Sequence, residues 1–299
     1  MSDVSLLALS IERVIKNISN FKGKTEEELV HEVNELRNNR PEEDYELSKI
    51  VRLKSHVNRQ LHGENPVYYL SSEGESDKVI MYLHGGGYIH EISSFHFRAI
   101  DRLVQATNAV AIVPIYTRIP HGTYWEALSL IEDIYTTFRS ENPDKKLILM
   151  GDSAGGGLAL AFMEYLATKD ISQPDKAILF SPWVDVNTNN PDIEEYVEKD
   201  IWLDKNISFF GKLWAGDTDT YDYRVSPLFG DVSRLQNITI FTGTKEILYP
   251  DTLLMYEKLK AAGVDTELIV GEDMLHVYPV LPIPEGREAL KKCAELIKD

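Results

Sequence analysis

Cysteine is almost missing from this sequence: Cys293 is the only one among 299 residues. A lone thiol closes no internal disulfide and builds no thiolate metal cluster, so a reducing compartment is the natural setting. Positive charge is also scarce. Lys and Arg total 31 against 48 Asp and Glu, a formal net charge of −17. Such a surface repels phosphate backbones and anionic lipid, which argues against nucleic acid or a membrane face as the main partner. No apolar run approaches the roughly 20 residues that cross a bilayer. The opening stretch MSDVSLLALSIERVIKN carries an acidic residue where a secretory leader carries basic ones. A cytoplasmic protein is expected, with the sequons at Asn17, Asn206 and Asn237 incidental. Repeats and low-complexity linkers are lacking too, and the 18 Gly and 13 Pro are dispersed, which excludes collagen-like and largely disordered chains.

What is present is an alternation. Short apolar runs at Val79–Leu83, Val110–Ile115, Leu147–Met150, Ala177–Phe180, Ile238–Phe241 and Leu268–Val270 are rich in β-branched residues and bounded by Gly, Pro or Asp. They read as strands buried on both faces of a parallel sheet. Between them, Arg98–Thr107, Tyr124–Arg139, Ala154–Thr168 and Thr252–Ala262 place apolar residues at helical spacing, the last stopping at Gly263. The expected class is α/β, a mostly parallel central sheet flanked by helices. Segments around Ile50–Val57 and Val67–Leu70 are candidate antiparallel edge strands. Two regions break the rhythm: a charged helical stretch over residues 1–45, and Trp183–Tyr223, which is too long for a βα loop and rich in aromatic residues. The expected organisation is therefore N-terminal cap helices over 1–45, a core over 46–182, a cap insertion over 183–225, and the rest of the core over 226–299.

The strongest chemical signal is Gly151-Asp-Ser-Ala-Gly155, directly after a predicted strand and directly before a predicted helix. A sharp strand-to-helix turn there lifts Ser153 above the sheet, and its glycines let the backbones approach. The helix that follows aims its amide end at any anion formed at Ser153. A second signal is His84-Gly85-Gly86-Gly87, immediately after Val79–Leu83. Three consecutive glycines cost conformational entropy, so the backbone has a task that side chains would obstruct. Gly86 and Gly87 are candidate amide donors to an oxyanion, joined by the amide of Ala154, while Gly85 makes the turn and His84 supports the loop. A nucleotide loop is disfavoured, since neither G-x-G-x-x-G nor a following Lys-Ser/Thr is present.

A serine nucleophile needs a base. Of eight histidines only His276 follows Ser153, so a chain order of nucleophile, acid, histidine fixes the base by elimination. His31, His56, His62, His90, His96 and His121 show no ligand spacing and read as structural or surface residues. The acid should follow the strand Ile238–Phe241. Glu246 is the first choice to orient His276, with Asp251, read as a helix N-terminal residue stabilised by the helix amides, as the alternate.

Taken together, His84-Gly-Gly-Gly87, Gly151-Asp-Ser-Ala-Gly-Gly156, Ser226-Pro-Leu228, Thr242-Gly-Thr-Lys-Glu-Ile-Leu248 and His276-Val277 resemble the hormone-sensitive-lipase-like family of α/β-hydrolases, the esterases with an HGGG loop. The resemblance runs from about Lys78 to the end. It implies the α/β-hydrolase fold, a cap of N-terminal helices plus an insertion, carboxylesterase activity on a small-molecule ester, and no cofactor or metal. Where the family commonly has Asp as its acid this sequence has Glu246, and Pro114-Ile-Tyr-Thr-Arg-Ile-Pro120 only loosely matches the family's Tyr-Arg-Leu-Ala-Pro stretch. The aromatic insertion favours a small apolar acyl or alcohol group. An amidase of the arylformamidase kind would use the same groups, and a non-catalytic binder on the same scaffold is the remaining alternative. Homodimerisation is left open.

Overall fold

Strands β1 (His56–His62), β2 (Asn65–Ser71), β3 (Lys78–Leu83), β4 (Val110–Pro114), β5 (Lys146–Asp152), β6 (Lys176–Phe180), β7 (Ile238–Lys245) and β8 (Thr266–Leu275) form one sheet in the order β1-β2-β4-β3-β5-β6-β7-β8. The structure, a computed structural model, describes residues 4–5, 8, 21–37, 45–48 and 50–299. β1 and β2 run antiparallel, and β2 pairs antiparallel with β4; every pairing from β4 through β8 is parallel. The helices are α1 (Glu26–Arg37), α2 (Ser94–Thr107), α3 (Tyr124–Glu141), α4 (Ala154–Thr168), α5 (Ser208–Ala215), α6 (Tyr249–Ala261) and α7 (Pro284–Lys298), with one-turn elements between α4 and α6.

Strand periodicity sorts the core into two layers. Along β3, Val79, Met81 and Leu83 join one apolar cluster while Ile80 and Tyr82 join the other. β5 does the same, with Leu147 and Leu149 on one side and Ile148 and Met150 on the other. α3, α4 and α6 cover the first face; α2 and α7 cover the second. Side chains on both faces of the central strands thereby leave water, which explains their unbroken apolar runs. Helix starts follow from local capping. The Ser93 side chain accepts from the Phe95 amide while the Ser93 amide donates to His96 Nδ1, and Thr123 pairs with Glu126 in the same reciprocal way. α2 ends at Asn108 in the left-handed region (φ 59°).

One expected strand needs correction. Ile50 is 85% exposed and lies outside the sheet, and the edge strand runs over His56–His62 instead. Its sequence, HVNRQLH, is exposed almost throughout, so it carries no apolar period; pairing with β2 alone makes it a strand. β8 also extends well beyond Leu268–Val270: Gly271, Glu272 and Asp273 break the apolar run before the buried Met274 and Leu275 end the strand. Of residues 1–45, the described part contains α1, whose Leu29 and Val33 are buried. Asn17 and most of that stretch lie outside the described residues.

The insertion after β6 packs against the N-terminal segment. Phe21 stands edge-on to Phe210 of α5, and Asn206 donates to the carbonyls of Phe21 and Lys24. Trp214 stacks on Tyr88 with ring centroids 4.1 Å apart. No helix among the described residues is long and apolar enough to cross a membrane.

Candidate active site

Ser153 sits between β5 and α4 at φ 51° and ψ −122°, a conformation few non-glycine residues adopt. The strain is held by its surroundings: the Ser153 amide donates to the Phe180 carbonyl (2.8 Å), and the Ser153 carbonyl accepts from the amides of Gly157 (3.0 Å) and Trp183 (2.9 Å). Two residues after the serine, a Cβ on Gly155 would lie 2.1 Å from the Leu83 carbonyl oxygen. Only glycine lets the start of α4 come so close to the end of β3.

The downstream histidine reaches the serine. His276 Nε2 lies 2.9 Å from Ser153 Oγ, and His276 Nδ1 lies 2.5 Å from Glu246 Oε2. All three residues are buried. Glu246 Oε1 accepts from the Thr242 hydroxyl and from the Gly243 amide, the latter at 3.0 Å. The carboxylate is thus fixed by the end of β7 with its other oxygen on the imidazole, which places the ring proton on Nδ1 and leaves Nε2 to accept from Ser153. Burial alone would lower the His276 pKa. The bond to Glu246 and the charges of Glu246, Asp200 and Asp152 outweigh burial and raise it above the ordinary histidine value. Asp251 does not approach His276: it is the third residue of α6 and accepts from the Asn190 side chain at 2.7 Å. The expectation that helix amides hold it is corrected, since its second oxygen is buried without a partner; burial pushes its pKa up to about 6.

Gly86 and Gly87 line the same cavity as Ser153 and His276. Gly86 has φ 120°, and its carbonyl accepts from the amides of Ile89 and His90, so the chain turns back on itself there. Ala154 is the first residue of α4, where an amide has no acceptor inside the helix. His84 is fully buried, stacked on Tyr116 at 4.6 Å, and its Nδ1 donates to the Gly85 carbonyl at 2.7 Å. Burial lowers its pKa to about 3 and keeps it neutral.

Asp152 and His96 belong to the site although the sequence did not single them out for it. Asp152 Oδ1 accepts from the Tyr82 hydroxyl (2.8 Å) and the Gly85 amide (3.0 Å), and Asp152 Oδ2 lies 3.1 Å from His96 Nε2. Burial opposes the charge of Asp152, yet His96, Tyr82 and Gly85 hold its carboxyl below the usual range. The residue before Ser153 therefore ties down the glycine loop. His96 and His90 both face the cavity, a placement that no sequence spacing signals.

The cavity measures about 560 Å³. Phe21, Trp183, Trp202, Leu203 and Ile207 line it from the N-terminal segment and the insertion, and Val277, Val280 and Leu281 from the loop after β8. Its walls are mainly apolar, as small-molecule sites usually are. Among the described residues no group of three or more His, Cys, Asp or Glu is arranged to hold a metal ion.

Comparison with known proteins follows the same line. The profile of a family described as the alpha/beta hydrolase fold matches residues 80–280, more than half of the chain. The chain belongs to the α/β-hydrolase family. This hydrolase is 27% identical over 233 residues to an acetyl-hydrolase of Streptomyces hygroscopicus, covering 75% of this chain and 76% of that protein. A solved Staphylococcus aureus protein, described provisionally as an esterase, superposes with a TM-score of 0.88 at 26% identity over 93% of this chain and 95% of its own. An esterase of the bacterial hormone-sensitive lipase family shares the fold, with a TM-score of 0.77 at 24% identity over 92% and 98% of the two chains.

Proposed function

We propose that this hydrolase is a serine carboxylesterase that cleaves small, short-acyl esters through an acyl-enzyme on Ser153. The observation that carries the reading is the continuous hydrogen-bonded line from Ser153 Oγ through His276 to Glu246, opening into an apolar cavity. The relatives named as esterase and acetyl-hydrolase support ester cleavage and a short acyl group.

In the first half-reaction Ser153 Oγ attacks the ester carbonyl while its proton passes to His276 Nε2. The carbonyl oxygen becomes an oxyanion, stabilised by the amides of Gly86, Gly87 and Ala154. Glu246 stabilises the imidazolium and keeps its tautomer. As the carbonyl re-forms, the C–O bond to the alcohol breaks and His276 returns the proton to the departing alkoxide. In the second half-reaction water attacks the acyl carbon, His276 takes its proton, and the acid leaves as that proton returns to Ser153. Residues 21–37 and 183–225 act as the cap that walls the acyl and alcohol groups from water.

Two measurements test this. A fluorophosphonate probe should label Ser153 and abolish turnover; an active enzyme left unlabelled at Ser153 would refute the proposed nucleophile. A panel of p-nitrophenyl esters from acetate to decanoate, run beside matched anilides, should give kcat/KM highest at short acyl chains and far lower on the anilides. Preference for the anilides would turn the reading to an amidase.

A further inference from the structure

The proposed mechanism leaves one buried carboxylate near the histidine without a task. Asp200 is fully covered, whereas its insertion neighbours Asp192, Glu194, Glu195 and Glu198 all face solvent. Asp200 Oδ1 accepts from the backbone amides of Trp202 (2.8 Å) and Leu203 (2.9 Å), and Oδ2 accepts from the Ile247 amide (3.0 Å). The first two bonds fix the turn that sets Trp202 and Leu203 on the cavity wall. The third crosses to the residue directly after Glu246. A third part of the chain joins them: Lys22 Nζ donates to the carbonyls of Val197 and Asp200, and the Lys22 amide donates to the Trp202 carbonyl at 3.0 Å. The neighbouring Phe21 and Trp202 both line the cavity, and the Trp202 ring stands edge-on to His276 with centroids 6.3 Å apart.

A buried carboxylate is costly unless its bonds repay the lost hydration. The turn at Trp202 and Leu203 alone does not require a charge, since a neutral Asn or Ser side chain makes the same kind of turn. Two features favour a charge at Asp200: three amide donors converge on it, and a histidine that must become positive lies close by. We infer that Asp200 is a positioning residue for the proposed esterase reaction, tying the insertion to the Glu246 loop and lending a second negative charge to the His276 imidazolium. The inference rests on the Ser153–His276–Glu246 reading.

The charged groups facing His276 are Glu246 from the β7 loop, Asp200 from the insertion and Asp152 from the end of β5. Burial raises the pKa of Asp200, opposed by His276 and the three amides. Lys22 holds the Asp200 carbonyl and is not bonded to its carboxylate.

The decisive experiment is Asp200→Asn, with rates expressed per active site counted by stoichiometric fluorophosphonate titration of Ser153. Misfolded molecules then drop out of the count. The expected result is a kcat lower by on the order of tenfold, and an acid limb of kcat/KM displaced to lower pH by on the order of half a unit. A wild-type kcat and acid limb per titrated site, with only fewer sites, would overturn the inference by showing a purely structural role. If D200N yields no folded protein, Asp200→Ser carries the same two readouts, because its hydroxyl still accepts from the Trp202 and Leu203 amides. Lys22→Met loosens the junction but leaves the carboxylate, so its KM should rise while its acid limb stays at the wild-type position; a displaced limb there would count against the carboxylate. Active wild-type enzyme that leaves Ser153 unlabelled by a fluorophosphonate would sink the underlying serine mechanism instead.

Discussion

Ser153 has a backbone conformation that its neighbours impose, so removing its hydroxyl should spare the fold. Ser153→Ala should retain the wild-type circular dichroism spectrum while ester turnover falls by about 10⁴-fold or more. The two acid candidates separate in the same assay. Glu246→Gln should lower kcat by about 10³-fold or more, because the amide no longer enforces the tautomer of His276. Asp251→Asn, bonded to Asn190 and away from His276, should stay within about twofold of wild type per active site. The pH dependence follows from the raised pKa of His276. Only the neutral ring accepts the serine proton, so activity should fall as pH drops through a value above the ordinary 6.5, and a pH–rate profile checks it. At this scale Ser153 and His276 were legible because one lies in a motif and the other has no downstream rival. Glu246 ranked ahead of Asp251 because it comes just after the strand, and the turn after β7 does bring its carboxylate to the ring while Asp251 turns to Asn190. Asp200 and His96 were hidden altogether, for their roles depend on chain segments that meet only in the fold.

Among the elements, the approach of α4 to β3 is the tightest constraint. Gly155→Ala would drive a methyl group into the Leu83 carbonyl, and should cost about 1–3 kcal/mol, read as a lower midpoint in urea denaturation. The link from α2 to β5 is subtler. His96→Ala removes the donor that holds Asp152 Oδ2, leaving the glycine loop less firmly set. kcat should fall on the order of tenfold with KM nearly unchanged, whereas a rise in KM alone would show that His96 contacts substrate rather than the loop anchor. The central strands could be read from sequence because both their faces are apolar. β1 could not, because an exposed edge strand such as HVNRQLH takes its conformation from its partner and not from its own pattern. The outer half of β8 escaped notice because Gly271, Glu272 and Asp273 interrupt its apolar run.

For the molecule as a whole, Glu164 makes stability depend on pH. It lies in α4, 2% exposed, with neither carboxylate oxygen hydrogen-bonded, and burial pushes its pKa up to about 9. A carboxyl raised in the folded state binds a proton that the unfolded chain has already released. Its contribution is complete below the unfolded carboxylate pKa and declines as pH rises, until the folded group also ionises near 9. Melting temperature should therefore fall across this range in wild type and fall less steeply in Glu164→Gln; parallel slopes would refute the assignment. The single thiol has a practical consequence of its own. Cys293 lies on the buried face of α7, sealed in the core, and burial pushes its pKa up, so a maleimide dye finds no native target on the folded protein. A cysteine introduced at an exposed site of the insertion, for instance Tyr221→Cys, would become the sole labelled position, and the brightness of that dye could then report in real time whether the roof over the active site lifts when a substrate enters.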